Sequence, residues 1–263
     1  MEGFRTKKSL GQNFLASQAH IRAIADAGEL TKGEWVLEVG PGKGTLTKEL
    51  LSRGTRVVAV EKDDRLIPYL KDIFRDDIGN GHLNIVHADI LKTGARSLGL
   101  PNRGFKAVAN IPYYITGAFL RQILSGENQP SRAVLLVQKE VAERAARSTK
   151  ESLLSLSLKA YGTPHYVRTV PRGAFSPSPS VDSAVLVIEH ISRDNFVNAR
   201  HEKRFFELLK AGFAQKRKYL IRNLEPLSSQ ETLEGAFRTL SVDVRSRAED
   251  IPLSVWLALA RTL

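Results

Sequence analysis

From Trp35 onward the chain alternates short apolar runs with stretches whose apolar residues recur at helical spacing, the pattern of βα units and a mainly parallel sheet. Seven runs read as strands: Trp35–Val39, Arg56–Glu61, Leu83–His87, Lys106–Ile111, Arg132–Gln138, His165–Val170 and Ser183–His190. Only Pro171–Asp182 separates the last two, too little for a crossover helix, which predicts an antiparallel hairpin at the sheet edge and hence a mixed sheet. After His190 the strand pattern stops, and helical segments are expected around Glu202–Ala214, Ser229–Leu240 and Leu253–Leu263. Phe205, Leu208, Leu209 and Phe213 fall on one face of the first of these and are assigned to the core. The expected organisation is an α/β domain over residues 1–190 and a small helical C-terminal domain over 191–263.

Composition leaves that picture intact. The 263 residues, 42% hydrophobic and 25% charged, can bury a sizeable core and do not resemble a collagen-like, coiled-coil or disordered chain. Charge adds to it: 39 Lys and Arg against 28 Asp and Glu leave +11, a surplus that favours a polyanionic partner such as nucleic acid without naming one. The lack of cysteine excludes a disulfide framework, a thiolate zinc site and a cysteine nucleophile, and the six scattered histidines show no metal-ligand spacing. Residues 1–10 carry Arg5, Lys7 and Lys8 but no apolar segment, and no stretch approaches a membrane span, so a cytoplasmic protein is expected.

The chemistry-bearing residues fall at the ends of the expected strands. Glu38-Val39-Gly40-Pro41-Gly42-Lys43-Gly44 closes the first strand and precedes a helical Thr45–Leu51, which places glycines where backbone approaches a ligand closely. An empty βα turn would look the same, so the second strand matters. It ends in Glu61, an acid placed to accept both ribose hydroxyls of a nucleotide, and the pair points to a nucleoside-containing cofactor. The third strand ends in Ala88-Asp89-Ile90, where Asp89 can take an adenine amine or simply cap the next segment.

The fourth run ends in Asn110-Ile111-Pro112-Tyr113-Tyr114, an amide, a rigid turn and an aromatic ring beside the cofactor's reactive end. An adenine exocyclic amine is a poor nucleophile because its lone pair is delocalised into the ring. The Asn110 side-chain oxygen and the Ile111 carbonyl can hold such an amine as it pyramidalises, and Tyr113 can stack on a base taken out of its helix. A strand-ending turn with a core tyrosine is the competing explanation. No Ser/His/Asp or Cys/His set is present to act as a nucleophile, which favours direct transfer.

Together with Lys8-Ser9-Leu10-Gly11-Gln12-Asn13-Phe14-Leu15 and Phe175-Ser176-Pro177-Ser178-Pro179-Ser180-Val181-Asp182-Ser183, these residues resemble the S-adenosylmethionine-dependent ribosomal RNA adenine dimethyltransferases over nearly the whole chain. The likeness is strongest to the family's bacterial small-subunit branch. It implies an α/β, Rossmann-like S-adenosylmethionine methyltransferase with a seven-stranded mixed sheet and a small helical tail. It implies S-adenosyl-L-methionine as cofactor, no metal, and dimethylation of the exocyclic amines of adjacent adenines in small-subunit (16S) ribosomal RNA. The implied partner is a pre-30S particle and the implied state a monomer. By the same resemblance Asn13 and Leu15 help close over the cofactor, Gly40 lies near its methionine part, Glu61 on the ribose and Asp89 at the adenine, with Asn110 bordering the methyl donor and the target amine. The family's loop corresponding to the one carrying Phe175 flanks the acceptor pocket, so Phe175 joins Tyr113 as a base-stacking candidate, against the alternative of a hydrophobic plug. Lys216-Arg217-Lys218 and Arg222-Asn223, with Arg5, Lys7 and Lys8, supply charge suited to RNA phosphates and make the tail a ribosome-docking element.

One departure concerns the central segment Thr149–Ser155, which lacks the Tyr-Gly or similar pair often found in the family and leaves its contribution to RNA contact open. Three other functions compete: a large-subunit methyltransferase of the macrolide-resistance type, a non-catalytic RNA-binding assembly or transcription factor on the same fold, and a nicotinamide dehydrogenase. The last leaves Asn110-Ile111-Pro112-Tyr113 and the basicity without a purpose.

Overall fold

Each of the seven apolar runs forms a strand of one sheet in the computed structural model, which describes residues 13–263. In chain order the strands are β1 (Phe14–Leu15), β2 (Trp35–Val39), β3 (Arg56–Glu61), β4 (Leu83–His87), β5 (Phe105–Ala109), β6 (Arg132–Gln138), β7 (Thr163–Val170), β8 (Phe175–Ser176) and β9 (Ser183–Glu189). The helices are α1 (Gln18–Ala27), α2 (Thr45–Ser52), α3 (Leu66–Ile73), α4 (Arg75–Gly79), α5 (Tyr113–Ser125), α6 (Lys139–Ala146), α7 (Leu153–Lys159), α8 (Ala199–Gly212), α9 (Leu220–Leu224), α10 (Gln230–Thr239) and α11 (Leu253–Thr262).

The large sheet runs β4-β3-β2-β5-β6-β9-β7. Strands β2 to β6 are mutually parallel where they pair, whereas β9 is antiparallel to both β6 and β7, so the expected hairpin is present with β7 outermost. Val36, Leu37, Ala107, Val108, Val134 and Leu135 are all fully buried, consecutive residues on both sheet faces, which is why these strands read as unbroken apolar runs. β3 and β4 lie to one side of β2, and β5 to the other. Two departures from the sequence reading bear on the site. β5 ends at Ala109, short of the expected Ile111, because ladder pairing with β6 stops at Leu135 and the chain turns into α5 through Pro112. A second, two-stranded sheet pairs Phe14 with Ser176 and Leu15 with Phe175.

Two units divide the chain by contact: residues 13–142 with 163–191, and 143–162 with 192–263. The helical unit therefore takes in 143–162 as well as the expected tail. Tyr161 explains why, since its ring stacks on Phe206 at 5.8 Å and meets Phe196 edge-on at 5.4 Å. Within this unit Ser152 caps α7 by accepting from the Ser155 N–H, and the Glu151 N–H donates to the Glu249 carbonyl at 2.8 Å, so the central segment is built into the helical core. α8 begins at Ala199, three residues before the expected start, because the Asn198 side chain accepts from the His201 N–H at 2.9 Å. Phe205, Leu208 and Leu209 are fully buried as their spacing predicts, whereas Phe213 caps the end of α8 and is only half-buried, its ring stacked on Trp256 at 5.9 Å. Among the described residues no helix is long and apolar enough to cross a membrane, and no cluster of three His, Cys, Asp or Glu could hold a metal.

Candidate functional site

The carboxyl ends of β2, β3, β4 and β5 converge where the strand order reverses between β2 and β5, the place where open α/β sheets bind ligands. A cavity opens there. Asn13, Leu15, Gly40, Glu61, Asp89, Asn110, Tyr113 and Phe175, drawn from across the first unit, all line it.

The glycine turn forms the cavity floor. Gly40, Gly42 and Gly44 all have positive φ, at +70°, +57° and +76°, so no other residue type would hold this turn without strain. A Cβ at Gly42 would lie 2.9 Å from the Phe14 ring, so a bare backbone is also what allows β1 to close down on the turn. Lys43 places its ammonium over that ring, 5.1 Å from the centroid.

Glu61 locks the turn in place. One carboxylate oxygen accepts from the Lys62 and Asp63 N–H groups, both at 2.8 Å, and the other from the Gly42 N–H at 3.1 Å. Burial pushes its carboxyl up, and these three bonds oppose the shift. About one of the roughly four lone-pair sites of the carboxylate is left for a ligand. Holding both hydroxyls of a ribose would require releasing one backbone donor, and the Gly42 contact is the longest.

Asp89 does two things at once. Its Oδ1 accepts from the Leu91 N–H at 3.0 Å and caps the short turn Ile90–Lys92, while Oδ2 receives the Lys62 ammonium at 2.9 Å. The Lys62 contact, aided by the Leu91 bond, holds the Asp89 carboxyl below its ordinary range and raises the lysine in turn. Lys62 was not singled out by the sequence; its only signal was its position beside Glu61 at the end of β3.

Asn110 lies past the last ladder pair of β5 and, among the described residues, its side chain has no hydrogen-bond partner. A polar amide is thus left open to the cavity. Tyr113 opens α5, is half-buried, and shares a 2.6 Å hydrogen bond between its hydroxyl and Ser183 Oγ. Phe175 is 6% exposed and strand-paired with Leu15, so it is a wall of the cavity rather than a ring offered to solvent. Beneath the turn Glu38 is 1% exposed, and among the described residues neither its carboxylate oxygens nor the Thr47 hydroxyl has a well-formed hydrogen bond.

In the helical unit Lys216, Arg217 and Lys218 are exposed in the loop between α8 and α9 and, among the described residues, carry no ion pair. Arg222 is paired with Glu225 at 2.5 Å. Asn223, grouped with these charges on sequence, is buried and donates to the Gly212 and Gln215 carbonyls at 2.7 and 3.1 Å, so it shapes the loop. Arg5, Lys7 and Lys8, and the signature residues before Asn13, lie outside the described residues.

A mixed seven-stranded sheet with a glycine turn, two acids and an amide at its switch point defines a Rossmann-like methyltransferase. A family profile described as Ribosomal RNA adenine dimethylase matches residues 3–263, and the chain belongs to that family. It is 41% identical to the Ribosomal RNA small subunit methyltransferase A of Dehalococcoides mccartyi, over 98% of this chain and 89% of that one. The protein of the same description from Deinococcus radiodurans is 38% identical, over 99% of this chain and 87% of its own. Among solved structures, the 23S rRNA methyltransferase ErmE superposes with a TM-score of 0.72 at 26% identity, covering 95% of this chain and 99% of that one. A dimethyladenosine transferase from Plasmodium falciparum shares the fold with a TM-score of 0.77 at 23% identity, covering 94% and 95% of the two chains. Family membership removes the dehydrogenase from the competing functions.

Proposed function

We propose that this enzyme transfers methyl groups from S-adenosyl-L-methionine to the exocyclic amines of adjacent adenines in small-subunit (16S) ribosomal RNA, two per adenine, acting as a monomer on a pre-30S particle in the cytoplasm. The observation that carries the chemistry is the unengaged Asn110 amide in the same cavity as the glycine turn, Glu61 and Asp89. The choice of subunit is supported by 38–41% identity to small-subunit enzymes, against 26% to the 23S enzyme.

The residues present fit the cofactor. Glycines at 40 and 42 leave bare backbone that a side chain would fill, and the two carboxylates sit on separate strand ends, as a nucleoside with hydroxyls at one end and an amine at the other requires. Gly40 would accommodate the methionine part, Glu61 a ribose hydroxyl and Asp89 the adenine amine, with Asn13 and Leu15 closing over it. When bound, the cofactor supplies a methyl carbon activated by a positively charged sulfonium.

The protein's contribution is positioning and acceptance of charge. The Asn110 oxygen and the Ile111 carbonyl accept from the target amine and favour its pyramidal form over the planar one, which is stabilisation specific to the transition state. Tyr113, fixed by Ser183, and Phe175, fixed by Leu15, wall the space for the flipped base. The exposed Lys216, Arg217 and Lys218 give the helical unit a footing on RNA phosphates.

The deciding experiment incubates the protein with radiolabelled S-adenosylmethionine and unmethylated small or large subunits, then identifies the labelled nucleoside. Dimethyladenosine from the small subunit alone is expected. Label in the large subunit would assign the resistance-type activity, and cofactor binding without label in either would assign a non-catalytic role.

A further inference from the structure

Two tyrosines open α5, and the fold treats them differently. Tyr113 is half-buried and spends its hydroxyl on Ser183, whereas Tyr114 is 64% exposed while still lining the cavity. Adjacent residues on a helix do not face the same way, so one ring is drawn inward and the other is left at the rim. The interior does not need it. Ile90 and Ile111, 5% and 3% exposed, already give the cavity apolar walls, and most of the Tyr114 surface is open to something arriving from solvent.

The neighbouring charge narrows what that is. The Lys62 ammonium lies within electrostatic reach of the Tyr114 phenol, and its side chain is 57% exposed even while paired with Asp89. An exposed aromatic face beside a cation is how proteins hold single-stranded nucleic acid, with the base on the ring and the phosphate on the charge. A base taken into the cavity must bring the next nucleotide of its strand to the rim.

We propose that Tyr114 is the stacking platform for the nucleotide adjoining the adenine held in the cavity. This inference rests on the RNA substrate argued above; because the strand has a direction, the platform takes the neighbour on one side only, so one of two adjacent target adenines would occupy it while the other reacts.

Binding of a fluorescent oligoadenylate reads the stacking without turnover. Tyr114→Ala should weaken it about ten-fold, the loss of one base–aromatic stack, while Tyr114→Phe and Tyr114→Trp keep wild-type affinity. With unmethylated small subunits the Ala variant should raise KM by a similar factor and leave the Kd for S-adenosylmethionine unchanged. Wild-type affinity in the Ala variant, no oligoadenylate binding by the wild type, or an equal loss of cofactor affinity would each overturn the proposal. If the wild type leaves small subunits unmethylated, the substrate assignment fails instead, and the oligoadenylate comparison still decides the role of Tyr114.

Discussion

Single side chains at the site divide into those engaged by the fold and those left open, and the division sets what substitutions should do. Asn110 is open, so Asn110→Ala should lower kcat by roughly 100-fold or more while changing cofactor Kd little, since removing one transition-state acceptor of this kind costs about that much. Single-turnover methylation together with calorimetric cofactor binding checks it, and undiminished turnover would remove Asn110 from the mechanism. Glu38 is the opposite case, sealed under the turn. Burial, with a smaller repulsion from Glu61, pushes its carboxyl up to about 8, and the nearby polar groups of Thr47 offset this only in part. Between the ordinary 4.5 and about 8 the folded chain holds a proton that the unfolded chain has released, so stability falls as pH rises through that window. The cost is absent below it and reaches at most about 5 kcal/mol above it. Urea unfolding of the wild type and Glu38→Gln across this range should show the variant gaining on the wild type as pH increases. That Asn110, Glu61 and Asp89 would share one cavity was legible in the sequence because each lies at the carboxyl end of a strand whose apolar core was legible. Lys62 and Tyr114 were not, because what marks them is a partner or an exposure that arises only when strand ends are brought together.

At the level of elements, β2, β3, β5, β6 and β9 could be read because they are buried on both faces, and the edge strands β4 and β7, which are not, because they are short apolar runs set off by turn residues. The two-residue β1 and β8 have no length over which a period could show, and the five-residue α9 is too short for a helical stripe. The inclusion of 143–162 in the helical unit was equally hidden, resting on the Tyr161 ring rather than on any compositional shift. Packing between α8 and α11 gives a test of its own. A Cβ on Gly212 would come within 2.4 Å of the Trp256 ring and 2.8 Å of Leu220, and Trp256 is fully buried with no room to yield. Gly212→Ala should therefore destabilise the fold by about 1–3 kcal/mol through overpacking, despite alanine's better helix propensity. A lower urea midpoint at unchanged slope would show it, and a stabilised variant would mean that the helices can separate freely.

For the molecule as a whole the informative quantity is charge. A net +11 predicts salt-sensitive association with RNA, and the three unpaired cations of the α8–α9 loop are its most concentrated source among the described residues. Replacing Lys216, Arg217 and Lys218 together by Gln should reduce the slope of log affinity against log salt by about 2 to 3, with cofactor binding untouched. An unchanged slope would place the docking surface elsewhere. The pairing of Leu15 with Phe175 carries a consequence of a different kind. One wall of the cavity joins the first described strand to a segment made after β2 through β7, so a nascent chain already holding the glycine turn, both acids and Asn110 still lacks that wall. The pocket is completed late in synthesis, only after the chain has passed Phe175 and the first unit is nearly finished.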